Sequence, residues 1–177
     1  RLHKMAFVAL AGLMASASFA WAGPEVVAGP GFDPTCFAPW SKDTKYYQWP
    51  AKPGPYKIAV VNGFVGNTWR IQMIQTAKAF ALDPEIAKDI KEFKVVSTGN
   101  DAPAQLGAIE DFINQGFDGI VINAVTTDGF DRVIRLADKQ NVVLVAFDNT
   151  LDTDAILQVN EDQYAQGVAY ATFVVDE

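Results

Sequence analysis

The chain has 177 residues, half of them hydrophobic, with 14 basic and 21 acidic side chains, a formal charge of −7 and a pI near 4.6. That length holds one domain, or one domain and part of another. The acidic balance excludes a nucleic-acid binder, which needs a basic footprint.

Arg1, His3 and Lys4 precede an apolar, small-residue run from Met5 to Phe19, and Ala20-Trp21-Ala22 places small residues before Gly23. This is the pattern of a secretory signal over 1–22, cleaved before Gly23, and it is too short for a spanning helix. Cys36, the sole cysteine, lies well beyond that cleavage point, so it is not a lipoprotein anchor. The sole histidine, His3, falls within the signal. One Cys and one His exclude Cys/His metal sites and His-based catalytic triads from the exported chain.

Residues 23–55 carry prolines at 24, 30, 34, 39, 50, 53 and 55, with aromatic residues between them. Repeated proline forbids a long helix or a central strand, and the aromatic rings predict an ordered extension packed on a domain surface. A lid or partner-contact role is the alternative reading.

From Tyr56 the chain alternates. Lys57 to Asn62 is predicted as a strand, and its unbroken apolar run Ile58-Ala59-Val60-Val61 suits a strand covered on both faces. A helix from about Asn67 to Ala81 is expected to bury Ile71, Ile74, Ala77 and Ala81. Asp83-Pro84 opens a short helix as N-cap and first residue. Phe93 to Ser97 is the second strand. The second long helix spans about Pro103 to Gln115, with Leu106, Ile109 and Ile113 on one face and Gly116 as its stop. Gly119 to Asn123 is the third strand, and Asp128 to Gln140 a helix carrying Phe130, Val133, Ile134 and Ala137 inward. Val142 to Phe147 and Ile156 to Val159 are the last two strands. A capping-box-like Asn160-x-x-Gln163 starts the final helix. Strands separated by helical patterns predict an α/β fold, a parallel sheet of right-handed βαβ units, flavodoxin-like in kind.

The strand ends are polar. In such sheets the carboxyl ends of the strands are where ligands bind. At and after the end of the first strand come Asn62, Phe64, Asn67, Trp69 and Arg70, without the glycine spacing of a dinucleotide or phosphate loop. The residues on offer suit a neutral polar small molecule, and no cofactor is expected. Asn100 and Asp101 read as turn and N-cap residues, while Asn123 fits either a turn or a ligand contact. Asp148-Asn149 ends a buried strand with no helix start behind it. A carboxylate accepting from two vicinal hydroxyls, beside an amide that donates and accepts, suits a polyol. Trp69 fits either a core position or a ring stacked on a sugar face. Asp148, Thr150, Asp152 and Asp154 fall on EF-hand spacing, but Thr153 replaces the turn glycine and Val159 the bidentate Glu, so no metal is expected. Asp118, Asp128 and Asp131 read as a solvated helix entrance.

With these residues in view, the chain resembles the sugar-binding (ribose-type, class I) periplasmic solute-binding proteins of ABC importers. Three segments carry the resemblance: KIAVVNGFVGNTWRIQM, NDAPAQLGAIEDFINQGFDGIVINAVTTDGFDRVIRLADKQNVVLVAFDN and VNEDQYAQGVAYA. The superfamily includes the ligand-binding cores of LacI-type repressors, but an export signal, not a helix-turn-helix, precedes the first strand. The resemblance implies a periplasmic binding protein type I fold, with two similar lobes joined by a hinge and closing on a sugar. It implies a first lobe over 56–154 and, over 155–177, the start of a second lobe that is mostly absent from this chain. Its first-lobe contacts would be Phe64, Asn67, Trp69 and Arg70, then Asn123, Asp148 and Asn149. The family often has Asp-Arg where this chain has Asp148-Asn149, which leaves pentose or hexose specificity open.

The function this implies is a periplasmic, monomeric, non-enzymatic carrier that delivers a sugar or polyol to an ABC permease of the inner membrane. The alternative is a periplasmic ligand-sensing subunit for a receptor kinase. An enzyme on a flavodoxin-like sheet fits less well, because no His remains to act as a base.

Overall fold

Residues 23–29, 39 and 41–176 are described in the computed structural model. The expected signal segment and Cys36 lie outside them. The elements are β1 (Glu25–Val27), β2 (Tyr46–Gln48), β3 (Tyr56–Asn62), α1 (Thr68–Ala81), α2 (Pro84–Ala87), β4 (Ile90–Ser97), α3 (Ala102–Asn114), β5 (Gly119–Asn123), α4 (Asp131–Lys139), β6 (Val143–Phe147), β7 (Leu157–Val159) and α5 (Gln163–Asp176). The strands from β3 onward form one parallel sheet in the order β4-β3-β5-β6-β7. This is the predicted α/β architecture.

Register explains how the sheet builds an edge. Asn62 pairs with Ser97 on one side and Asn123 on the other. Three neighbouring strands therefore end together on a polar row, and the loops after them open over it. Asp101 caps α3 by accepting from the Ala104 amide, and Asn67 caps α1 by accepting from Arg70. Asp83 caps α2 with Pro84 behind it. Each cap satisfies an amide that the first turn leaves without a partner.

One face of the sheet presents Ala59, Val61, Ile120, Ile122, Leu144 and Ala146, all essentially sealed from solvent. Against them pack Ile109, Phe112 and Ile113 of α3 and Val133, Ile134 and Ala137 of α4. Each Val, Leu, Ile or Phe among them contributes about 1.5–3 kcal/mol on burial, so this layer contributes much of the fold's stability. The other face carries Ile58, Val60, Val121, Val143, Val145 and Phe147, the alternate positions of the same strands. On that side α1 packs near Val60, Val121 and Phe147, and Pro50 and Lys52 border Ile58, Val143 and Val145 nearer the amino edge. Beside α1 runs an apolar groove of about 560 Å³ lined by Val60, Trp69, Met73, Ala77, Phe80, Val121 and Phe147.

Four expectations need correction. Ile71 is not buried but 46% exposed, because α1 meets the sheet along a narrow stripe and Ile71 falls beside it. The strand before α3 starts at Ile90, not Phe93, since Ile90 pairs with Tyr56 at the start of β3. Asp162, not Asn160, caps α5 through the Ala165 amide, while the Asn160 side chain accepts from Glu161. Asp118 does not stand at a helix entrance. It precedes β5 and accepts from the Lys57 amide at 2.9 Å and from the Lys52 ammonium at 3.1 Å.

The extension follows the amino edge of the sheet. Tyr56 OH donates to the Lys52 carbonyl, Lys52 pairs with Asp118, and Asn141 Nδ2 reaches the Pro50 carbonyl at 3.5 Å. Further back, β1 and β2 form an antiparallel ribbon, and Lys45 and Tyr47 bond Asp154 just before β7. The extension thus crosses the starts of β3, β5, β6 and β7 in turn, at the end of the sheet opposite the polar row.

Candidate functional site

The carboxyl edge is organised around Asn62, which is fully buried. Its Nδ2 donates to the Phe64 carbonyl at 3.0 Å, the Gly63 carbonyl at 3.3 Å and Ser97 Oγ at 3.2 Å. Its Oδ1 accepts from Arg70 Nη1 at 2.9 Å. A single amide thereby holds the β3–α1 loop, the end of β4 and the first turn of α1. The other guanidinium nitrogen of Arg70 lies 3.6 Å from Asp148 Oδ2, an ion pair too long for a direct hydrogen bond.

Asn123, equally buried, donates through Nδ2 to the same Asp148 oxygen at 2.9 Å. A carboxylate only accepts, so this contact fixes which end of the Asn123 amide is nitrogen. Its Oδ1 is buried with no partner among the described residues. Such an acceptor calls for a hydroxyl or a water. Among the described residues both side-chain contacts of Asp148 fall on Oδ2, which leaves Oδ1 to accept from something else. Asp148 also has φ +59°, a left-handed conformation that Asp and Asn tolerate better than other non-glycine residues. Strained backbone of this kind gathers at functional sites. Asn149, next to it, turns its Nδ2 to the Ala124 carbonyl at 2.9 Å.

Arg70, Asn123 and Asp148 are thus joined in one hydrogen-bonded and ion-paired group at the sheet edge, with Asn149 fastened beside it to the Ala124 carbonyl. Phe64 stands beside them, 44% exposed, its ring folded over Gly66. The Asn67 side chain is engaged in capping α1. Trp69 is 48% exposed at the mouth of the apolar groove, with the Arg70 guanidinium 5.1 Å from its ring centre. Asn62, a polar strand end already evident in the sequence, and Gln105, which the sequence reading did not single out, are part of the same network. The signal for Gln105 is a polar residue on the otherwise apolar inward stripe of α3.

The site therefore offers one cation balanced by one carboxylate, amides aimed at a common edge, and exposed rings beside them. A neutral ligand rich in hydroxyls matches that balance. An anionic one would meet Asp148.

Residues 58–177 match the periplasmic binding protein domain family. The chain belongs to that family. A search of curated proteins found no match. Among solved structures, an ABC transporter solute binding protein from Thermobispora bispora is 29% identical with a TM-score of 0.56, covering 60% of this chain and 34% of that one. A periplasmic ribose ABC transporter protein from Conexibacter woesei is 18% identical with a TM-score of 0.61, covering 69% and 40%. The arabinose-binding component from a Shewanella species is 21% identical, also at 0.61, covering 68% and 39%. This periplasmic binding protein domain thus spans between 34% and 40% of the length of those structures. The parallel sheet with its flanking helices is the type I fold of the family, and the family is one of binding proteins. No helix among the described residues is long and apolar enough to cross a membrane.

Proposed function

We propose that this chain forms part of a periplasmic solute-binding protein that captures a sugar or polyol between two lobes and delivers it to an ABC importer. The observation that carries the reading is the charge-balanced polar edge. Arg70 and Asp148 neutralise each other, Asp148 Oδ1 is left to accept, and the buried Asn62 and Asn123 brace the group from behind. Vicinal hydroxyls are donors that a carboxylate takes two at a time, and the sugar's own oxygens accept from Arg70. Phe64 and Trp69 supply flat apolar surface for the C–H face of the ring. Asn67, Asn123 and Asn149 complete the first-lobe contacts.

Residues 56–154 form the first lobe in this reading. The α5 helix, none of whose residues is buried, belongs to a second lobe that closes from the other side. Export with cleavage before Gly23, a monomeric state and a permease partner complete the proposal. In this reading the ligand is carried and leaves unchanged.

A thermal-shift screen of the intact protein tests the reading. A ligand bound only by the folded state stabilises it by about 2.7 kcal/mol at a hundred times its Kd. The expected result is a rise in Tm with at least one neutral sugar or polyol, growing with its concentration. No response to any of them, with a clear response to an anionic ligand instead, would overturn it.

A further inference from the structure

The geometry points to Gln105 as a positioning residue: from within the α3 layer it sets the β5–α4 loop, and through that loop the Asp148 carboxylate, for ligand capture. This inference rests on the sugar-binding reading above. Gln105 lies on the buried stripe of α3 with Ile109, Phe112 and Ile113, and has no solvent exposure. Methionine or leucine would fill that position without desolvating an amide.

What the amide does there is specific. Its Nε2 donates to the Asn123 carbonyl at 2.9 Å, and its Oε1 accepts from the Val125 N–H at 2.9 Å. The amide so bridges two residues that flank Ala124, whose own carbonyl is held by Asn149 at 2.9 Å. Three consecutive residues, the last of β5 and the two after it, are thereby fastened from two sides. Asn123 then carries the constraint forward, donating to Asp148 Oδ2 at 2.9 Å. Val125 carries it sideways, since a Cβ on Gly63 would stand 2.6 Å from Val125 Cγ2. Slack at Gln105 therefore reaches both the carboxylate and the β3–α1 loop, and a site loosened by about 1 Å loses much of its function.

Two variants of the intact protein test this, with D-ribose, L-arabinose, D-galactose and D-fructose as probes. Gln105→Met keeps the volume and removes both bonds. It is expected to unfold cooperatively, to bind at least about tenfold more weakly, and to exchange the Val125 amide faster by a similar factor. Gln105→Glu adds a readout that simple packing would not move. A protonated acid donates to the Asn123 carbonyl and accepts from Val125 as the amide does, whereas an ionised one faces that carbonyl with a like partial charge. Buried acids titrate high, so near wild-type binding and exchange are expected at about pH 5 and the full deficit at about pH 9. Each value is taken as a ratio to wild type at the same pH, so that pH effects common to both proteins drop out. Wild-type affinity in Gln105→Met, or a deficit in Gln105→Glu that ignores pH, would overturn the proposal. If wild type binds none of the four sugars, the sugar reading fails separately. An unchanged Val125 exchange rate in Gln105→Met would then overturn the positioning role on its own.

Discussion

At Asn62 one buried amide meets four partners, and the loop geometry follows from it. Gly63, the next residue, shows how closely three loops converge there: its carbonyl accepts from Gly99 at 3.1 Å, and an added Cβ would approach Val125 Cγ2 to 2.6 Å and the Gly99 carbonyl to 3.2 Å. A stiff β-branched side chain and a backbone oxygen cannot both give way. Gly63→Ala is therefore expected to destabilise the lobe by about 1–3 kcal/mol, the usual cost of overpacking, measured as a shift in denaturant midpoint. An unshifted midpoint would mean that the loops have room to part. At this scale the sequence was readable for the polar strand ends, where Asn123 and Asp148 stand. It was not readable at Gln105, because a lone amide on a helix face looks like surface until the layer above it is known. The engagement of Asn67 as a cap was equally hidden, since capping and ligand contact call for the same side chain.

At the scale of elements, periodicity predicted the alternation of strands and helices well, because both faces of most strands are apolar and α3 and α4 each carry a strong inward stripe. The α1 stripe was the weak case. Its expected members meet a sheet face that one helix only partly covers, so Ile71 is left outside. The extension surprises in position, lying along the amino edge and away from the proposed ligand site. Its ribbon is fastened to Asp154 by Lys45 and by the Tyr47 hydroxyl. The ammonium holds the Asp154 carboxyl below its usual 3.8, and the carboxylate in turn raises Lys45 above 10.5. The carboxylate's contribution is thus present above its ordinary value and is lost as pH falls through the lowered one. That of Lys45 is present below its ordinary value and is lost as pH rises through the raised one. Both groups are exposed, so salt screens the pair. In Asp154→Asn the amides of Tyr46–Gln48 are expected to exchange faster and to lose their salt sensitivity, with little change in global stability. Identical exchange in wild type and variant, at low and high salt, would show that the ribbon is held by its rings and not by this pair.

At the scale of the whole molecule, the described sheet from β3 to β7 has one sealed face, one partly open face and a polar edge. Strands apolar on both sides implied cover on both sides, and the sequence contains no pattern that would have shown where that cover stops. The chain spans between 34% and 40% of the length of the three solved structures compared with it. In the proposed function, its contribution to binding converges on Asp148. The residue has φ +59°, which Asn tolerates as well as Asp, so Asp148→Asn preserves backbone and shape while removing the charge. Calorimetric titration of a responding sugar into the intact wild-type and Asp148→Asn proteins is therefore the most direct test. Charge-assisted hydrogen bonds are roughly twice as strong as neutral ones, so a loss of about 1.5–3 kcal/mol is predicted, roughly ten- to a hundredfold in affinity, with Tm of the empty protein little changed. Equal affinities in the two proteins would contradict the account, leaving Asp148 as the end of a strand and not the centre of a binding site.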